Sequence, residues 1–173
     1  MSETVHLEGA RVMLDSFTEA DIGDAYIGWL NDPEVVRFSN QRFRTHDRAS
    51  CKAYLASFDG SPNLFLAVRR LEDGAHIGTM SVYRSMQHGT ADVGILVGDR
   101  GGGGYGQDAW DTLLDWLLAR GDIRKVTAGT LACNTAMVRL MERSGMTLEG
   151  TRRAQEIVDG QPQDIVLYGR FAP

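Results

Sequence analysis

The sequence predicts an α+β fold: a mixed, mostly antiparallel sheet flanked by helices on both faces. Three observations carry this. Strand candidates follow one another across short turns between residues 64 and 97, which implies hairpins. The pattern then changes to a long amphipathic helix followed by another strand, which is a parallel step. The chain closes on a last pair of strands about Asp159-Gly160.

The elements read in order as follows. Glu8–Leu14 forms a first strand. Thr18 caps a helix, with Asp21 three residues on and Ile22, Ala25, Tyr26, Trp29 and Leu30 at helical spacing. Asn31-Asp32-Pro33 stops it. A second helix starts at Thr45 or Asp47 and buries Cys51, Tyr54, Leu55 and Phe58 before Gly60-Ser61-Pro62-Asn63. Strands follow at Leu64–Arg69, Ala75–Arg84 and Thr90–Val97. The long helix runs Tyr105–Arg120 and ends at Gly121, with Asp108 and Asp111 early and Arg120 late, as the helix dipole prefers. Arg124–Leu131 is a strand and Thr135–Ser144 a short helix ended by Gly145. Thr147–Val158 and Gln163–Phe171 complete the sheet.

A length of 173 residues suits one domain, taken as 1–173. With 43% hydrophobic and 24% charged residues, wholesale disorder is excluded. Eighteen basic against 23 acidic residues leave a net charge of −5. No basic excess exists to neutralise phosphates, so nucleic acid is not an expected partner. A cationic amine is not repelled. Cys51 and Cys133 stand far apart, as free thiols of a reducing compartment do. The opening Met1-Ser2-Glu3-Thr4 lacks a basic region followed by an apolar run, and no apolar stretch approaches the ~20 residues that cross a bilayer. A cytoplasmic location with no membrane partner is expected. His6, His46 and His76 show no metal-ligand spacing, so no metal is expected.

Gly101, Gly102, Gly103, Gly104 and Gly106 open the long helix, interrupted by Tyr105. Without Cβ atoms the backbone N–H groups can approach a ligand closely, and the helix start adds partial positive charge. That combination suits a phosphate or pyrophosphate. Gly101, Gly103 and Gly106 also spell G-x-G-x-x-G, but a dinucleotide site needs a parallel βαβ unit and an acid ending the next strand. Here a hairpin series precedes, and the next strand ends in Gly129-Thr130-Leu131. No Gly-Lys-Ser/Thr follows, which excludes a P-loop. A glycine loop with no ligand is the bland alternative.

The run from Asp99 to Ala109 resembles the pyrophosphate loop of the GNAT (Gcn5-related) N-acetyltransferases, Gln/Arg-x-x-Gly-x-Gly/Ala after a strand and at a helix start. Gly104 and Gly106 match its two small positions. Gly101 falls where Gln or Arg is usual, unless Arg100 serves one place early. Asn134 to Met146 resembles the family's Asn-x-x-Ser-x-x-x-Tyr/Leu-Glu-Lys-x-Gly-Phe helix. Asn134, Glu142 and Gly145 match, while Met137 replaces Ser and Met141 stands where Tyr is frequent. The element order is similar across nearly the whole chain. Trp29 to Val35 and Val158 to Asp164 resemble the branch acting on ribosomal-protein N-termini and nucleotide-linked amino sugars, with His88 to Gly94 closer to the sugar enzymes.

The resemblance implies direct acetyl transfer from acetyl-CoA to a primary amine, a small-molecule acceptor, and a homodimer. A nucleotide-linked amino sugar is the favoured acceptor; a protein N-terminus or small amine is the alternative. A non-catalytic CoA-binding module is the reading of another class, prompted by Met141. The resemblance assigns CoA to Ile95, Leu96, Val97, Arg100, Gly101, Gly102, Gly103, Gly104, Tyr105, Gly106, Gln107, Asn134 and Arg139. Tyr105 also reads as loop packing, and Asn134 as a helix cap. Alternation puts Asp92, Gly94 and Leu96 on one strand face, and Gly94 leaves a gap there. Asp92 is the expected base through water, or else a solvated aspartate; His88 is the second candidate, or else a turn histidine. Asn31, Glu34 and Arg37 fall in the acceptor loop, where Asn31 also serves as a helix stop.

Overall fold

A computed structural model describes residues 3–98 and 102–173. Two short strands, β1 (His6–Glu8) and β2 (Val12–Ser16), replace the single first strand expected over Glu8–Leu14. The physical reason is the turn between them, where the Gly9 N–H donates to Val12 O at 2.8 Å. Only glycine fits there, because a Cβ would lie 2.5 Å from Thr112 Oγ1 and 2.6 Å from Asp108 Oδ2.

Thr18 caps a 3-10 turn, Glu19–Asp21, rather than an α-helix. Its N–H and hydroxyl both donate to Asp21 Oδ2, and Arg69 pairs with the buried Asp21 carboxylate. The α-helix α1 (Asp24–Asn31) starts after Gly23 and buries Tyr26 and Leu30, leaving Ala25 exposed and Trp29 half-buried. A second 3-10 turn, Asn40–Phe43, leads to α2 (Arg48–Ala56). Asp47 caps α2 by accepting the Ser50 N–H at 2.7 Å.

Three antiparallel strands follow: β3 (Leu64–Arg70), β4 (His76–Ser85) and β5 (Thr90–Val97). Then come α3 (Tyr105–Ala119), β6 (Lys125–Leu131) and α4 (Thr135–Arg143). The chain ends with β7 (Thr147–Val158) and β8 (Gln161–Phe171). β8 starts two residues earlier than expected, because Asp159 and Gly160, with φ of 51° and 77°, make a two-residue turn by themselves. The eight-stranded sheet has the order β1-β2-β3-β4-β5-β6-β8-β7, and β5–β6 is its parallel pair.

Helices cover both faces. On one, α3 and α4 bury Trp110, Leu113, Leu114, Leu117 and Met141 against Leu14, Leu66, Val82 and Val126. On the other, α1 and α2 bury Tyr26, Leu30 and Cys51 against Phe65 and Ala67. Among the described residues, β5 and β6 pair only at Thr90↔Lys125, Ala91↔Val126 and Asp92↔Thr127. Past Asp92 the two strands part while β5 stays on β4 up to Val97. Gly98 donates its N–H to Ile77 O, so alternation turns the backbone groups of Ile95 and Val97 toward the gap.

The start of α3 is tied to the far edge of the sheet. The Asp108 carboxylate accepts from the N–H groups of Ala10, Arg11 and Val12 at 3.1, 2.8 and 3.0 Å. The Arg11 guanidinium donates to Gly103 O. Asp108→Ala leaves these N–H groups without their acceptor and is expected to lower stability by about 1–3 kcal/mol. Thermal unfolding measures the loss. Hydrogen exchange should show faster opening at Arg11 and Val12; unchanged exchange there would remove Asp108 from this role.

Candidate active site

A cavity of about 360 Å³ opens beside the parting strands. Gly94, Ile95 and Leu96 of β5 form one wall. Ser81 lies opposite Gly94 on β4, its Oγ 3.1 Å from where a Gly94 Cβ would stand, so the missing side chain is part of the opening. Tyr26, Tyr54 and Phe65 bring aromatic rings to the lining. Ser39, Ser50 and Thr79 bring hydroxyls, and Gln41, Arg44 and His46 come from the segment before α2. Among the described residues no aspartate, glutamate or lysine lines this cavity.

Asp92 stands at the junction where β5 and β6 separate. Thr127 donates its hydroxyl to Asp92 Oδ1 at 2.7 Å, which fixes the carboxylate. Surrounding protein raises its pKa above the usual carboxylate range, and the Thr127 bond only partly offsets this. Asp92 lies two residues from Gly94 on the same strand face, just outside the cavity lining. His88 does not join it. It is exposed in the β4–β5 turn, and its carbonyl accepts from Arg124 Nε. The position where many GNAT helices carry Tyr is Met141, sealed at 0% exposure in the core, so α4 offers no proton donor there.

The glycine loop meets the test for a phosphate cradle. Gly102, Gly103 and Gly104 have φ of 78°, 91° and 71°, three successive left-handed positions that only glycine adopts at little cost. No side chain caps the start of α3, so its first N–H groups remain available to an anion. Tyr105 packs against Gly103 and lies under the Arg70 guanidinium. Gly106 sits 3.5 Å from Val97 and 3.8 Å from Leu140, measured from where its Cβ would be. Arg100 and Gly101 lie outside the described residues.

The other expected contact residues have local partners or are exposed. The Gln107 amide donates to Asp111 and to Ser144 Oγ at 3.0 Å, which ties α3 to the end of α4, and Gln107 also lines the shallow groove beside Gly103 and Gly104. Asn134 caps α4 by accepting from Met137 N–H and donates to Thr130 Oγ1 at 3.1 Å. Arg139 is exposed on α4. Arg143, one turn on, reaches the shallow groove beside Gly103 and Gly104 together with Arg11. Sequence reading passed over Arg11, because only the β1–β2 turn brings it there.

The acceptor loop is similar in kind. The Asn31 side chain holds His46 from both sides, donating to its carbonyl and accepting its N–H, each at 2.8 Å. Arg37 pairs with Asp159 at 3.1 Å, and Glu34 is exposed beside Asp32, whose carboxylate accepts the Glu34 N–H. Through His46, Asn31 supports the cavity wall from behind. The residues on the wall itself, Gln41, Arg44 and His46, carried no sequence signal. Among the described residues no group of three or more His, Cys, Asp or Glu could hold a metal, and no helix is long and apolar enough to cross a membrane.

Comparison with known proteins matches this geometry to a family. The acetyltransferase (GNAT) domain matches residues 11–147. No curated protein matches the chain. An acetyltransferase (GNAT family) from Bacillus anthracis superposes with a TM-score of 0.82 at 16% identity, covering 97% of this chain and 99% of that one. A spermidine N-acetyltransferase from Vibrio cholerae, in complex with CoA and spermine, gives 0.82 at 15% identity, with 93% and 95% covered. A ribosomal-protein-S5-alanine acetyltransferase from Vibrio fischeri gives 0.81 at 17% identity, with 97% of each chain covered. At such identities the structures share the fold alone; the family match, spanning most of the chain, goes further. The chain belongs to the GNAT acetyltransferase family and is an acetyl-CoA-dependent acetyltransferase.

Proposed function

We propose that the acceptor is a primary amine on a nucleotide-linked amino sugar. The observation that carries this reading is the character of the cavity beside Gly94. Its volume falls in the range of small-molecule sites, about 300–1,000 Å³. Its hydroxyls and amide suit a polyhydroxylated ring, and its aromatic faces suit the ring's apolar side. A polyamine needs carboxylates to balance its ammonium groups, and none lines the cavity among the described residues.

Acetyl-CoA supplies an activated acetyl thioester. The left-handed glycines and the start of α3 hold its pyrophosphate, with Arg11 and Arg143 alongside. Ile95 and Val97 present backbone groups, unpaired among the described residues, along the gap for the pantetheine amides. Asp92 takes the amine proton through water from its place at the junction.

Release of CoA thiol in the presence of an amine panel tests the reaction. The panel contains a nucleotide-linked amino sugar, free glucosamine, spermidine and an N-terminal alanine peptide. Turnover with the nucleotide-linked sugar is expected to dominate. Preference for spermidine or the peptide overturns the acceptor assignment. Tight acetyl-CoA binding with no thiol release from any amine overturns catalysis.

Gly104→Ala forces an alanine into a left-handed position, at a cost of about 1–2 kcal/mol. CoA affinity is expected to fall about tenfold by calorimetry, the equivalent of that strain; unchanged affinity removes the loop from the cofactor site.

Asp92→Asn should reduce turnover at neutral pH by about a hundredfold or more, with similar CoA affinity. Because its folded pKa is raised, Asp92 favours folding most at low pH and loses that contribution as pH rises through the folded pKa. The asparagine variant should therefore be no less stable than the parent at neutral pH. Wild-type rate should drop, on acidification, above the ordinary carboxylate range, and the variant should lack that limb. A pH–rate profile unaltered by the substitution excludes Asp92 as base.

A further inference from the structure

The cavity wall before α2 carries one unbalanced charge. Arg44 lines the cavity and is exposed, and its guanidinium makes no hydrogen bond or ion pair with any described residue. Its neighbours are committed. Arg42 is mostly buried, donates to Ser39 O at 2.8 Å and to Ile157 O at 3.1 Å, and lies 3.7 Å from Glu156. Arg37 is held by Asp159.

The backbone around Arg44 is fixed. Its N–H donates to Gln41 O at 3.0 Å, closing the 3-10 turn. Two residues on, Asn31 clamps the His46 backbone. Arg44 follows the turn in extended backbone, and it and Gln41 both line the cavity. His46 lines it too, and its Nε2 is buried without a hydrogen-bond partner among the described residues.

A guanidinium in a cavity that no carboxylate lines among the described residues, inside a chain of net charge −5, selects for negative charge on the ligand. We infer that Arg44, with Gln41 beside it, binds a phosphoryl group of the acceptor and is the main determinant of acceptor specificity. Guanidinium and phosphate oxygens match in fork geometry, which a lysine ammonium reproduces only as a point charge. The assignment rests on the proposed acetyl transfer to a phosphorylated amino sugar and identifies the group that distinguishes it from a neutral amine.

The test compares matched acceptors at saturating acetyl-CoA: glucosamine, glucosamine 6-phosphate and a UDP-linked amino sugar. In the wild type, kcat/KM should favour the phosphorylated acceptors. Arg44→Gln should shrink that preference by about tenfold to hundredfold, mainly through KM. Arg44→Lys should recover part of it, and added salt should erode the wild-type preference. The better of the two phosphorylated acceptors shows whether a sugar monophosphate or a nucleotide diphosphate is the source.

A preference that survives Arg44→Gln overturns the assignment, as does a wild-type preference for the neutral amine. Calorimetric titration of the UDP-linked amino sugar into the CoA-saturated protein gives an arm that needs no turnover. Binding that Arg44→Gln abolishes and Arg44→Lys partly restores supports the anion site even if no acetyl group moves, and then only the catalytic reading fails. Equal binding by all three proteins sinks the anion site, and thiol release in the panel then leaves acetyl transfer standing.

Discussion

The separation of β5 from β6 governs the rest of the molecule. Among the described residues, three parallel pairs hold the strands together at one end, and past Asp92 each strand keeps only its other neighbour, β4 or β8. A parallel sheet that continued would spend the backbone groups of Ile95 and Val97 on β6. The start of α3 and the side of α4 occupy the region instead, with Gly106 between Val97 and Leu140. The opening is therefore stabilised by apolar packing at the strand ends. Backbone groups with no partner among the described residues are expensive in a closed core, and an open cleft leaves them accessible.

The groups that line the opening are held by residues one step away. Asp108 anchors the helix whose first turn faces the glycine loop, and Asn31 anchors the segment bearing Arg44 and His46. In both cases a short polar side chain takes backbone N–H or C=O groups from a distant part of the chain. Such bonds add modest stability each, but they fix position closely. Gly98 does the same by contact: a Cβ there would stand 2.0 Å from the Trp29 indole, so α1 rests directly on the end of β5.

Sequence periodicity revealed the helices and central strands because each has one strongly apolar face, as with Trp110, Leu113, Leu114 and Leu117 on α3. It failed at β1–β2, where the turn is set by how closely α3 approaches Gly9. The glycine loop and Asn134 were legible because they are short local patterns. Gln107 was expected to contact CoA, and its partners, Asp111 within α3 and Ser144 at the end of α4, could not be read from its neighbours in sequence. The cavity wall was not legible. Gln41, Arg44 and His46 sit in a segment without periodicity, and the packing of that segment on α1, with Asn31 holding His46, places them at the cavity. The catalytic candidates split for the same reason: Asp92 is placed by strand register, while His88 belongs to a turn at the other end.

The link between Asp108 and the β1–β2 turn spans about a hundred positions of sequence. Contacts of such separation are entropically slow to form, because a long loop must close first. During synthesis β1 and β2 emerge well before α3, and their turn must wait without the carboxylate that completes it. The glycine loop, braced through Arg11 and Asp108, cannot take its final form until both ends of that link are present. A nascent chain stalled before α3 would carry most of the cavity wall and no helix start behind the glycine loop.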